Sequence, residues 1–126
     1  LFDLGAGDGR LVIMAAQETG ASAVGVEIRD DLVERARSEI KKLNLEDRAS
    51  MIHGDFFGVD LKEADVVTLY LTTSGNERLR PKLENELKQG ARVISHDFKV
   101  GNWKPSVVYN ELLGHTIYGY EIGKQL

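Results

Sequence analysis

The sequence predicts an α/β fold, a doubly wound sheet with an antiparallel edge. Three observations predict it. Short β-branched apolar runs alternate with longer amphipathic runs along most of the chain. A glycine-rich turn, GAGDG, joins the first apolar run to the first amphipathic one. After the segment GNWKP, two strand-like runs follow one another as a hairpin.

Residues 1–4 (LFDL) read as a strand closed by the glycine turn. From Gly9 or Arg10 to Thr19, the residues Leu11, Val12, Met14, Ala15 and Ala16 suit a helix packed on a sheet, with Gly20 as its C-cap. Residues 23–28 (AVGVEI) are a buried strand. Asp30 is the predicted N-cap of a helix over 31–43, with Leu32, Ala36, Ile40 and Leu43 as its apolar stripe. Residues 49–53 form a third strand, stopped by Gly54 and Asp55, and residues 65–71 (DVVTLYL) a fourth. Ser74-Gly75-Asn76 opens a helix over 77–87, with Leu79, Leu83 and Leu87 at steps of four. Pro81 sits inside that pattern and offers itself as an alternative first-turn position. Gly90 precedes a fifth strand, 91–95. Residues 107–112 and 116–122 are the hairpin around Gly114, with Tyr118 and Tyr120 sharing one face. Five βα-type repeats and a hairpin imply right-handed crossovers that place helices on both faces.

The chain has 126 residues, a length for one domain. Lys plus Arg is 16 and Asp plus Glu is 20, a net charge of −4. Phosphate contacts need clustered Lys and Arg, so nucleic acid is not the expected partner. Cysteine is absent, which excludes disulfides, Cys metal sites and Cys nucleophiles. No apolar run approaches the ~20 residues of a spanning helix. No membrane partner is expected, and the composition fits a cytoplasmic protein. Residue 1 is Leu and lies inside a strand-like segment, so an N-terminal segment is expected to precede it.

Three acidic signals stand at successive strand ends. The first is Asp3-Leu4-Gly5-Ala6-Gly7-Asp8-Gly9. The dinucleotide fingerprint is G-x-G-x-x-G, whereas this turn is G-x-G-x-G with an acid two residues ahead. Asp3 and Asp8 would repel a pyrophosphate and attract an ammonium group. The second is Glu27, 22 residues beyond Gly5, where a carboxylate can accept from both ribose hydroxyls. It also fits an NAD site or a solvated strand-end carboxylate. The third is Gly54-Asp55-Phe56-Phe57, where Asp55 can accept from an adenine amino group and Phe56 can pack on the ring. Its plain reading is a Gly-Asp turn with core aromatics.

Together DLGAGDGR, VGVEI and GDFF resemble motifs of class I S-adenosylmethionine-dependent methyltransferases. The resemblance covers residues 1–126 and implies a Rossmann-like sheet of order 3-2-1-4-5-7-6 with an antiparallel C-terminal hairpin. It implies S-adenosyl-L-methionine as cofactor. Asp3, Gly5 and Gly7 would hold the methionine end, Glu27 the ribose, Asp55 and Phe56 the adenine, and Leu71 would line the same site. The stretch VVTLYLTTSGNERLRPKLENELKQGARVISHDF, then NWKP and HTIYGYEIG, is similar to small archaeal protein-lysine methyltransferases. Those are related to a eukaryotic group that methylates lysines of mitochondrial proteins. In that group a segment before the first strand helps close the cofactor and substrate sites. The resemblance implies a protein partner with an accessible lysine.

Lysine methylation needs a deprotonated amine, and the reference pKa is about 10.4. An apolar, aromatic channel lowers it. Catalytic candidates are therefore Thr72 after the fourth strand, His96 after the fifth, and Trp103 in the loop beyond, with Thr73, Asp97 and Phe98 beside them. The plain readings are a hydrogen-bonded strand-end histidine for His96 and loop packing for Trp103. Tyr118 and Tyr120 read as core or edge packing, and His53 and His115 as structural. No His, Asp and Glu residues have metal-ligand spacing, so no metal is expected. No Asn/Asp-Pro-Pro-aromatic motif follows the fourth strand, which argues against methylation of base amino groups in DNA. The competing functions are an RNA or small-molecule methyltransferase, a non-catalytic cofactor-binding module, and an NAD oxidoreductase.

Overall fold

A computed structural model of the chain describes residues 1–110 and 113–126. Strands β1 (Phe2–Leu4), β2 (Ala23–Glu27), β3 (Ala49–His53), β4 (Val66–Leu69), β5 (Arg92–His96), β6 (Val107–Asn110) and β7 (Thr116–Glu121) alternate with helices α1 (Arg10–Thr19), α2 (Asp30–Lys42) and α3 (Thr73–Glu86). The sheet has seven strands in the order β3-β2-β1-β4-β5-β7-β6, the order the resemblance implied. The residues group into two compact units, Leu1–Val59 and Asp60–Leu126.

In the first unit β1 pairs parallel with β2, Leu4 opposite Val26. Strand β2 pairs parallel with β3, Glu27 opposite His53. This register sets the C-terminal ends of all three strands side by side. Helix α1 ends at Gly20 with φ 70°, the left-handed cap that glycine adopts without a Cβ penalty. Helix α2 begins one residue before its predicted start. Arg29 is its N-cap and Asp30 already helical. Asp30 and Asp31 open it and Lys41 and Lys42 close it, each sign suited to its end of the helix dipole. The predicted stripe is corrected at both ends. Val33, Ala36 and Ile40 are buried, whereas Leu32 is half-buried and Leu43 exposed. Val12, Ala16, Ala49 and Met51 complete one core with them. Strand β3 is followed by a single 3₁₀ turn, Phe56–Gly58, and not by a helix. Among the described residues, only three of the five predicted βα repeats carry an α-helix, after β1, β2 and β4.

In the second unit β4 pairs parallel with β5, and β5 pairs antiparallel with β7. Strand β4 is shorter than its apolar run, ending at Leu69, and Tyr70 is exposed. The antiparallel β6–β7 pair is the predicted hairpin. The end of its first predicted strand, residues 111–112, lies outside the described residues. Tyr118 and Tyr120 share a face, opposite Ser95 and Val93.

Helix α3 starts earlier than either predicted start. The Thr72 hydroxyl caps it, accepting from the Gly75 N–H at 3.0 Å. Pro81 therefore lies mid-helix, where it removes one backbone hydrogen bond at a cost of about 3 kcal/mol. Salt bridges from Arg80 to Glu77 and Glu84 and from Lys82 to Glu86 span the site. Each contributes only ~0.2–0.5 kcal/mol. Burial of Leu79 and Leu83, on the order of 1.5–3 kcal/mol each, is what outweighs the proline.

Candidate functional site

The first unit carries the glycine turn and the three acidic signals. The turn folds back over β2 because the amides of Gly5 and Ala6 both donate to the Val26 carbonyl, at 2.9 Å each. Gly5, Gly7 and Gly9 all have positive φ, of 76°, 60° and 81°. Gly7 faces open space, with nothing within 4 Å of the position a Cβ would take. A side chain there would fill that space, so the glycine leaves backbone accessible to a ligand.

Glu27, at the end of β2, is 8% exposed. One carboxylate oxygen accepts from the Gly7 N–H at 2.8 Å and the other from the Arg29 N–H at 3.0 Å. Its own carbonyl accepts from the Gly54 N–H at 3.0 Å. This residue thus ties the glycine turn, the start of α2 and the end of β3 to one another. Each carboxylate oxygen has a second lone pair, so the bonds to protein leave acceptor capacity for hydroxyl groups. Asp3 is buried in the middle of β1. Asp55 is exposed, and its Oδ1 accepts from the Phe57 N–H at 2.9 Å, which starts the 3₁₀ turn. The Phe56 and Phe57 rings meet at 5.0 Å, and Phe56 is half-buried.

The second unit places Leu71 and Thr72 directly after β4, with Leu71 half-buried and Thr72 exposed. His96, half-buried at the end of β5, stacks edge-on against Tyr70 at 4.1 Å. Its ring also meets that of His115, with centroids 4.8 Å apart. The His115 Nδ1 lies 3.0 Å from Asp97 Oδ2, and the Thr116 N–H donates to Asp97 Oδ1 at 3.0 Å. The His115 bond, then the Thr116 amide, hold the Asp97 carboxyl below the usual carboxylate range. Asp97 itself has φ 68°, left-handed backbone that aspartate tolerates better than most residues. Tyr70 and His115 join this group without having been candidates. His115 lies 18 residues from Asp97, and only the β5–β7 pairing makes them neighbours.

Trp103 belongs elsewhere. It is 3% exposed, with its ring 5.5 Å from that of Tyr120 and its Nε1–H donating to Glu84 at 3.2 Å. These contacts anchor the loop after β5 to α3. Tyr120 is buried too, and its hydroxyl accepts from the Val100 N–H at 3.1 Å. Burial pushes that phenol upward.

The sheet order and the glycine turn after β1 are those that the resemblance to class I S-adenosylmethionine-dependent methyltransferases implied. The chain belongs to the ANTKMT methyltransferase domain family, whose model matches residues 3–107. It is 47% identical over 128 residues to a protein-lysine N-methyltransferase of Saccharolobus islandicus, covering 98% of this chain and 80% of that protein. It is 34% identical over 111 residues to the adenine nucleotide translocase lysine N-methyltransferase of Mus musculus, covering 88% of this chain and 48% of that protein. Among solved structures, an RNA methyltransferase from Salinibacter ruber in complex with S-adenosyl-L-homocysteine matches with a TM-score of 0.92 at 47% identity, covering 96% of this chain and 78% of that one.

The residues present fit the cofactor. Gly7 opens backbone to a ligand, Glu27 keeps acceptor capacity at a buried strand end, and no side chain caps α1. None of the described helices is long and apolar enough to cross a membrane.

Proposed function

We propose that the chain transfers methyl groups from S-adenosylmethionine to the ε-amine of protein lysines. The observation that carries this is the 47% identity, over nearly the whole chain, to a protein-lysine N-methyltransferase. The proposed cofactor residues are Asp3, Gly5 and Gly7 for the methionine end, Glu27 for the ribose hydroxyls, and Asp55 and Phe56 for the adenine, with Leu71 as a further cofactor-binding residue. The open first-turn amides of α1 suit the methionine carboxylate, since a helix N-terminus favours an anion. When bound, the cofactor supplies a methyl group on a positively charged sulfur.

The chain's own residues do the rest by placing the acceptor and excluding water. His96 is the proposed acceptor-side residue, in ring contact with Tyr70 and His115 at the end of β5. Aromatic faces stabilise a cationic methylammonium by ~0.5–2 kcal/mol. Thr72 belongs to the same side, and its hydroxyl already caps α3, so its backbone position is the contribution proposed for it. The setting we propose is the cytoplasm of an archaeon, a reading supported by the Saccharolobus relative.

A second reading is methylation of RNA, favoured by the name of the Salinibacter structure. The net charge of −4 argues against it, because a phosphate backbone needs clustered cations. The experiment supplies labelled S-adenosylmethionine with a mixture of cell proteins and, separately, total RNA, and identifies the labelled residue by mass spectrometry. Methyl-lysine in the protein fraction is expected. Label confined to RNA would replace this reading with the second.

A further inference from the structure

We infer that His96, Asp97 and His115 form a binding site for one zinc-class divalent cation. The residues come from two strand ends. His96 closes β5 and Asp97 follows it, while His115 immediately precedes β7. Antiparallel pairing sets His96 opposite Ile117, and the Asp97 N–H donates to the Thr116 carbonyl at 2.7 Å. One ligand atom from each of the three side chains falls within 4.8 Å of the others.

The separations fit a metal. His115 Nδ1 to Asp97 Oδ2 is 3.0 Å, and His96 Nε2 to Asp97 Oδ1 is 3.8 Å. Donors bound at about 2.0–2.2 Å around a tetrahedral zinc stand roughly 3.3–3.5 Å apart. Taken through the one oxygen Asp97 Oδ1, His115 Nδ1 stands at 3.3 Å and His96 Nε2 at 3.8 Å, at and just beyond that span. Side chains that are 25% to 42% exposed have room to close the remaining gap.

Asp97 is also held for the task. Its left-handed φ of 68° turns the residue out of the strand, and the Thr116 amide fixes Oδ1. A carboxylate so anchored has its other oxygen toward His115. The hydrogen bond between that oxygen and His115 Nδ1 pre-orients the imidazole. Metal binding replaces the Nδ1 proton with the ion and releases the proton to solvent.

Donor chemistry selects the ion. Two imidazoles and one carboxylate suit zinc, cobalt, nickel, copper or ferrous iron, whereas magnesium and calcium prefer all-oxygen sets. Three protein ligands leave a tetrahedral ion one position for water or another small ligand.

The test is titration of the chain with Co²⁺, a spectroscopic stand-in for zinc, followed by its visible d–d absorption. Binding of one Co²⁺ per chain is expected, with competition by Zn²⁺ bleaching the band. His115→Ala and Asp97→Asn should each weaken Co²⁺ binding by about tenfold or more. Asn accepts left-handed backbone and keeps the acceptor for Thr116, so Asp97→Asn tests the site even if His115→Ala fails to fold. A visible band that appears in the parent chain and is lost in the folded variant supports the site. Absence of saturable binding, or affinity unchanged by Asp97→Asn, overturns it.

Discussion

Gly25 is where the glycine turn rests on the sheet, and Gly25→Ala tests that seat. A Cβ added there would stand 2.8 Å from Ala6 Cβ, 2.9 Å from Val12 Cγ2 and 2.6 Å from Met51 Sδ. The methionine can swing its flexible end away. The other two have no such freedom, because Ala6 sits in the turn and Val12 is fully buried in α1. The extra methyl must therefore shift the turn or the helix, and overpacking of this kind costs about 1–3 kcal/mol. For a chain of this size, 1 kcal/mol lowers Tm by roughly 3–5 °C, so the expected loss is about 3–15 °C. The assay is thermal and urea unfolding followed by circular dichroism, with Gly58→Ala as the control, since nothing lies within 4 Å of that position. Gly25→Ala should also weaken S-adenosylhomocysteine binding, because Ala6 carries the turn. A Gly25→Ala protein as stable as the Gly58→Ala control would refute the packing argument.

Other outcomes follow from the same geometry. Glu27→Gln should lower S-adenosylhomocysteine affinity and Tm together, since hydrogen bonds to a charged group contribute about 1.5–3 kcal/mol; unchanged affinity in calorimetry would remove Glu27 from the site. Tyr120→Phe leaves the buried Val100 N–H without its partner and should destabilise the chain by about 1–3 kcal/mol in urea unfolding. Glu84 is held below its ordinary value, first by Arg80 and then by Trp103. A carboxyl lowered in the folded state adds stability above its unfolded pKa, near 4.3, and loses it as pH falls through the folded value. Glu84→Gln should therefore flatten the acid side of a stability–pH curve measured between about pH 2 and pH 6, and an unaltered curve would contradict the assignment.

Strand positions and the glycine turn were legible because they depend on local pattern. The β-branched runs and the glycines carry their own backbone preferences. What failed needed tertiary information. Leu32 and Val33 are adjacent and both apolar, so spacing alone admitted two stripes, and packing chose Val33. Thr72 was read for chemistry while its cap on Gly75 set the start of α3, and Pro81 was then absorbed mid-helix by leucine burial. Trp103 and Tyr120 meet across 17 residues of chain, and nothing local announces that contact. The same holds for His115 and Asp97, whose proximity is a consequence of strand register. Asp3, Glu27 and Asp55 were read as a set because they fall in or just beyond three successive strands, and those strands pair side by side.

The central claim is that these strand ends bind the cofactor. Calorimetric titration of the chain with S-adenosylhomocysteine, run beside Asp55→Ala, tests it most directly. The account predicts saturable one-to-one binding, weakened at least about tenfold in Asp55→Ala through loss of a hydrogen bond to a charged group. Absence of binding by the parent chain, or equal affinity in both proteins, would contradict it.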